Sequence, residues 1–140
     1  MAIKGLKGVL SNLSKFGAEA EKSVEVITFA RAKGIELMAK QLAPVDMGFL
    51  RNQIHTEEVS KLDYKIIAGA SYSAYMEFGT GGLVNVPKEL KEIAIQFKGN
   101  GVRQVNIEPQ PFMYPAWKKG QTQYIKDLKK ELEILTKKYK

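Results

Sequence analysis

The sequence predicts an α+β domain: an antiparallel sheet of three or four strands packed with a long N-terminal helix and a C-terminal amphipathic helix. Three observations carry this expectation. Apolar residues recur three or four apart over residues 5–42, the period of one helix face. Short alternating segments bounded by turn residues fill the middle of the chain. An amphipathic, lysine-rich run closes it. The 140 residues suit one domain with one core, because a second core would lack surface to bury. That domain, 1–140, divides into a helical region over 1–43, a sheet region over 44–117 and a basic helix over 118–140.

The first helix places Leu6, Val9, Leu10, Leu13, Val24, Ile27, Met38 and Leu42 on one face, with Gly17, Ala20, Ala30 and Gly34 between them. The small residues would let another element approach closely, and either glycine is a place for a bend. Ala43-Pro44 ends the helix, since a residue before proline is pushed out of the α region. In the next stretch, PVDMGFLRNQI, Asp46 suits a turn cap and Gly48 a positive φ, so Pro44–Gly48 reads as a turn. Leu50, Asn52 and Ile54 then alternate as in a strand. Further strands are expected over His55–Ser60 and Tyr64–Ala70, joined by Lys61–Asp63. Tyr72–Phe78 fits a short helix or a strand end. Gly79, Gly81 and Gly82 read as a flexible link to a helical insert at about 87–98, which begins at Pro87 and stops at Gly99-Asn100-Gly101. Val102–Ile107 is one more strand candidate. The chain returns to helix at Phe112–Trp117, and in the last helix Tyr124, Ile125, Leu128, Leu132 and Leu135 are expected to face inward.

Composition narrows the chemistry. With no cysteine, disulfides and thiolate metal sites are excluded, and a non-oxidising assembly site fits. No apolar run approaches the roughly 20 residues that cross a bilayer. MAIKGLKGVLSNL contains no signal-like apolar block, so a soluble chain outside the general secretory route is expected. The net charge is +7, and residues 118–140 hold eight lysines against three acids. Such a surface serves solubility or attracts a polyanion, nucleic acid above all. No element that reads bases accompanies it.

Candidate reactive groups are few. His55 is the only histidine, so a histidine metal cluster is impossible and a Ser–His–Asp triad would hang on one strand residue. No cofactor is expected. Asp46 and Glu77 are the one carboxylate pair open to an acid/base reading, yet a turn cap accounts for Asp46. Glu77, between Met76 and Phe78, needs a partner if buried, and Arg51 or a backbone amide would serve. GTGG lacks the Lys-Ser/Thr of a phosphate loop. Phe78, Phe112, Tyr114 and Trp117 suit core filling better than base stacking.

Three motifs stand in order: APVDMGFLRNQI at 43–54, SYSAYMEFGT at 71–80 and PQPFMYPA at 109–116. Together they resemble a family of small neck or tail-completion proteins of long-tailed bacteriophages and prophages. Met47 and Gln53 depart from the family's usual threonine and serine. The resemblance implies a structural virion protein without enzymatic activity, acting in head–tail joining or tail completion within a ring, a hexamer by first expectation. It implies localisation at the head–tail junction or upper tail, with assembly in the host cytoplasm. Its partners would be copies of itself and other neck, connector or tail proteins, with no membrane. Residues carried over as structural or interface positions are Pro44, Asp46, Gly48, Leu50, Arg51, Tyr75, Glu77, Phe78, Gly79, Thr80, Pro111, Phe112, Pro115 and Ala116. The expected joint has Phe78 anchoring the sheet, Gly79 turning the chain and Glu77 bonded to Arg51 as a charged pair. Lys118, Lys119, Lys126, Lys129 and Lys130 read either as a solvated face or as contacts to DNA phosphates passing through a lumen. A stand-alone, non-specific nucleic-acid-binding accessory protein is the competing function.

Overall fold

The structure, a computed structural model, describes residues 6–44, 48–96 and 105–139. Helix α1 runs unbroken over Leu6–Leu42, 37 residues, or about 55 Å at 1.5 Å per residue. Neither Gly17 nor Gly34 interrupts it, and Ala43-Pro44 ends it where expected. Short helix α2 spans Gly48–Asn52. Strands β1 (Ile54–Ser60) and β2 (Asp63–Ala68) form an antiparallel hairpin, with Glu57 opposite Lys65 and an irregularity between Glu58 and Ser60. Helix α3 covers Ser73–Phe78, settling the ambiguous segment as helix. Two 3₁₀ turns, Gly81–Leu83 and Lys88–Leu90, lead to α4 at Lys91–Ile95. Helix α5 takes Met113–Lys138 without a break.

The α+β class stands, and among the described residues the sheet has two strands; three or four are not found there. Two expected strands do not appear among the described residues. Leu50 and Ile54 are spaced two apart from Asn52 but also four apart from each other, so they satisfy the helical period equally. The chain takes α2 first and enters β1 only at Ile54, and both side chains are fully buried. Residues 105–107 belong to no strand and spend their backbone groups on the loop after α3, not on the hairpin. Residues 102–104 and the Gly99–Gly101 stop lie outside the described residues, as do Val45, Asp46 and Met47 of the expected turn. Gly48 opens a helix instead.

Helix α5 lies antiparallel along α1. Thr28 and Tyr124 share a hydroxyl hydrogen bond of 2.8 Å, Arg31 pairs with Asp127, and Lys138 Nζ reaches Glu19 Oε1 at 2.8 Å. Phe16 meets Tyr139 edge-on. The inward face of α5 is rotated from the expected one: Leu135 is buried, but Ile125 and Leu132 are exposed. The close approach expected of Gly17 and Gly34 occurs at Gly120. A Cβ there would stand 2.2 Å from Ile35 Cγ1, whereas Gly17 has nothing within 4 Å and Gly34 only the Arg31 tip. Gly120→Ala is therefore expected to destabilise by about 1–2 kcal/mol, overpacking outweighing the gain of about 1 kcal/mol in helix propensity. In an Ile35→Ala background the same change should cost little or nothing, and denaturation of the four proteins of that cycle measures the coupling.

Glu36 ties α1 to the hairpin. It accepts from Lys40 Nζ at 2.8 Å, Thr56 Oγ1 at 2.6 Å and Lys33 Nζ at 3.2 Å. These bonds, Lys40 foremost, then Thr56, outweigh desolvation and hold its carboxyl down at about 2. A depressed carboxylate stabilises the fold above its ordinary value of 4.5 and loses that contribution as pH falls toward 2. Denaturation midpoints should drop over that window, and Glu36→Gln should flatten part of the drop.

The core gathers at one end of the molecule. Ile35, Ala39 and Ala43 of α1, Leu50, Ile54, Ala70, Met76, Phe112 and Ala116 form one buried cluster. The opposite end of α1 extends past the end of α5.

Candidate functional site

The three motifs meet in that core. The first contributes Leu50 and Ile54, the second Met76 and Glu77, the third Phe112 and Ala116. Glu77 is 7% exposed and joins them. Its Oε2 accepts the backbone N–H of Phe112 and of Met113, both at 2.9 Å, and its Oε1 accepts that of Tyr114 at 2.8 Å. These are the amides at the start of α5. A helix leaves its first N–H groups without internal partners, and Phe112 before α5 has no side-chain oxygen to cap them. Pro115 brings no N–H at all, which is tolerated in a first turn. One carboxylate from α3 thus serves the remaining donors, favoured by the positive end of the helix dipole.

The segment between α3 and α5 is strapped down by the same motif. Met76 O accepts from Gln110 N at 2.7 Å, and Thr80 N donates to Ile107 O at 3.0 Å. Ile107 N donates to Thr80 Oγ1 at 3.0 Å, and that hydroxyl donates to Val105 O. Gly79 makes the turn at φ 76°, where a Cβ would stand 2.8 Å from Ile107 O. Positive φ and lack of room together require glycine there. Gly81, at φ 63°, faces Asn106, whose Oδ1 accepts from Gly82 N at 3.0 Å. The glycine run expected to be a flexible link is a clasp.

The expected Glu77–Arg51 pair does not form; the backbone amides of α5 take the carboxylate instead, and Arg51 Nε is buried without a partner among the described residues. The cause is competition: three donors fixed by a helix terminus lose less freedom on bonding than an arginine side chain does. Phe78 also departs from its expected role. It is half-buried outside the core cluster and lines two grooves. Tyr75 is exposed beside it. Phe112 and Ala116 are fully buried as expected, Pro111 is exposed, and Pro44 and Pro115 are half-buried. Asp46 lies outside the described residues. His55 sits exposed on β1, its Nε2 3.1 Å from Glu57 Oε1. A carboxylate whose two oxygens hold a helix start has a structural task and is not a free base.

Of the flagged lysines, Lys118 is occupied: it reaches Glu89 Oε1 at 3.2 Å, and Tyr114 Oη donates to the other Glu89 oxygen at 2.6 Å. Lys119, Lys126, Lys129 and Lys130 are exposed and form no ion pair among the described residues.

A family model described as "Bacteriophage HK97-gp10, putative tail-component" matches residues 7–79, just over half of the chain. The chain belongs to this family. No curated protein and no solved structure matches it. The match covers α1, α2, the hairpin and α3, and ends at Gly79 inside the clasp. As a phage tail component the protein is a structural part of the virion that works by contact with other phage structural proteins. No helix among the described residues is long and apolar enough to cross a membrane.

The Glu77 cap was hard to find in advance, but one signal existed. The third motif starts a helix with Pro-Phe-Met-Tyr-Pro, a start without a capping residue. Such a helix needs an acceptor from elsewhere, and Glu77 is the acid held in apolar surroundings.

Proposed function

We propose that this tail component acts in head–tail joining or tail completion as a non-enzymatic subunit of a ring, sixfold by the symmetry of phage tails. The observation that carries the reading is the junction itself. Among the described residues, each family motif contributes to the core or to the connection between α3, the strap and α5, and none converges on a pocket holding free reactive groups. Rigid linkage of two long helices suits a part whose task is to present surfaces at fixed angles. The test is imaging of particles from a phage lacking this gene. Full heads beside unattached tails are expected; joined particles of normal tail length would overturn the reading.

A second reading concerns DNA inside such a ring. Lys119, Lys126, Lys130 and Lys137 recur at intervals of seven, four and seven, which places them on one side of α5 over about 27 Å. Glu133 interrupts the row. Contacts of this type position phosphates without reading bases. Affinity for duplex DNA should then be weak and fall steeply with salt. Tight binding that survives high salt would contradict both this reading and a merely solvated lysine face, because phosphate contacts weaken steeply with ionic strength.

A further inference from the structure

We propose that residues 86–96 form a hinged arm, latched by Glu89 to the start of α5, that walls one side of an apolar groove at Trp117 and opens without disturbing the Glu77 junction. The inference concerns the free chain and holds whether or not a ring forms.

The arm has no core of its own. None of residues 81–96 is buried, and among the described residues α4 packs closely only on its own 3₁₀ lead-in. Its apolar side chains face hollows. Leu90 and Ile93 line a groove of about 480 Å³ with Ile66, Phe78, Met113 and Trp117. Ala94 and Ile95 line another, of about 660 Å³, with Tyr75 and Phe78. In the first groove Ile93 and Trp117 are still 50% and 49% exposed. A side chain facing a void has no partner atoms on that side and forfeits their attraction. Few buried apolar contacts mark a segment that opens at low cost.

Both ends of the arm are tied. Before it, Asn85 N donates to Phe78 O at 2.8 Å. After it, Val105 O accepts from Thr80 Oγ1 in the clasp. The arm therefore moves as a flap and not as a free tail. Pro87 stands just ahead of the 3₁₀ turn with ψ at 144°. Its ring fixes φ and leaves ψ as the pivot.

Between these ties, the hydrogen bonds from residues 86–96 to the rest of the described chain all pass through Glu89. Its Oε2 accepts from Tyr114 Oη at 2.6 Å and its Oε1 from Lys118 Nζ at 3.2 Å. Tyr114 is held a second time, its N–H donating to Glu77 Oε1 at 2.8 Å, so the latch closes on a fixed seat. Glu89 and Lys118 are both exposed, and an ion pair this open to water contributes little and weakens with salt. A weak latch on a stiff seat lets the arm release while α3 and α5 stay joined. Released, it bares a continuous apolar strip over Ile66, Phe78, Met113 and Trp117, the kind of surface that monomeric proteins keep small.

Two readouts on the full chain test this. Trp117 is the only tryptophan, so its quenching by acrylamide reads the groove, while amide exchange followed by mass spectrometry reads the arm. Amides of residues 88–96 are expected to exchange about a hundredfold faster than those in the middle of α5. Glu89→Ala should speed the arm's exchange by about a further fivefold, the reach of an exposed pair, and raise the quenching constant about twofold. Peptides from α1, α3 and α5 should keep their natural rates. The chain has no cysteine, so Glu89→Cys with Lys118→Cys, joined by a short bismaleimide, closes the latch covalently and should lower both readings below their natural values. Three results would overturn the proposal. One is an arm as protected as the middle of α5, and another is no change from either variant. The third is acceleration spread equally through α1 and α5, which would make Glu89 a general support of the fold.

Discussion

Glu77→Ala is expected to cost the fold about 3–4 kcal/mol, among the largest effects of any single change at the site. The substitution leaves the amides of Phe112, Met113 and Tyr114 without their acceptor. An unsatisfied buried donor costs about 1–3 kcal/mol, and bonds to a charged group lie at the upper end. Phe112 N is buried, while Met113 and Tyr114 are partly open to water, which keeps the total below three full penalties. Thermal denaturation should show a midpoint lower by about 10 °C or more. Limited proteolysis should open the strap near residues 105–112 first. Glu77→Gln should cost less, about 1–2 kcal/mol, because its carbonyl oxygen still accepts while its amide nitrogen faces another donor. A Glu77→Ala loss below about 1 kcal/mol would mean that water caps α5 equally well, and the junction would lose its explanation.

Phe112→Ala is expected to cost about 3–5 kcal/mol. The ring is fully buried among Leu50, Ile54, Met76 and Ala116, and these come from four separate elements that cannot all collapse inward to fill the space. The cavity term then adds to the lost transfer energy. Urea denaturation would read the effect as a lower midpoint with an unchanged slope. A loss under about 1 kcal/mol would show that this end of the molecule repacks freely. Because Phe112 N also donates to Glu77, the two sites should couple: the double variant should lose less than the two single losses combined.

The α1 stripe, the break at Ala43-Pro44, the hairpin and the amphipathic α5 were legible from residues alone. Each follows from periodicity or from proline's local sterics, which act within a few residues. The site was legible in part. The motifs marked Glu77, Gly79, Thr80 and Phe112, and the need of a buried carboxylate for a partner was clear. The partner itself was not. Leu50 and Ile54 show the same limit on a smaller scale, since a spacing of two and four fits strand and helix alike. Ile125 and Leu132 show it again, because the apolar side of α5 is wider than the strip α1 covers.

By itself the sequence determined the class of the domain, its two long helices, and the presence of a lone acid, Glu77, in apolar surroundings. Only the tertiary structure decided that the acid caps a helix beginning 36 residues later, that Gly120 rather than Gly17 or Gly34 is where the helices touch, and that the glycine run is a clasp. The physical reason is range. Helical period and proline sterics are set by near neighbours, whereas an orphan amide takes whichever acceptor the packed chain delivers to it.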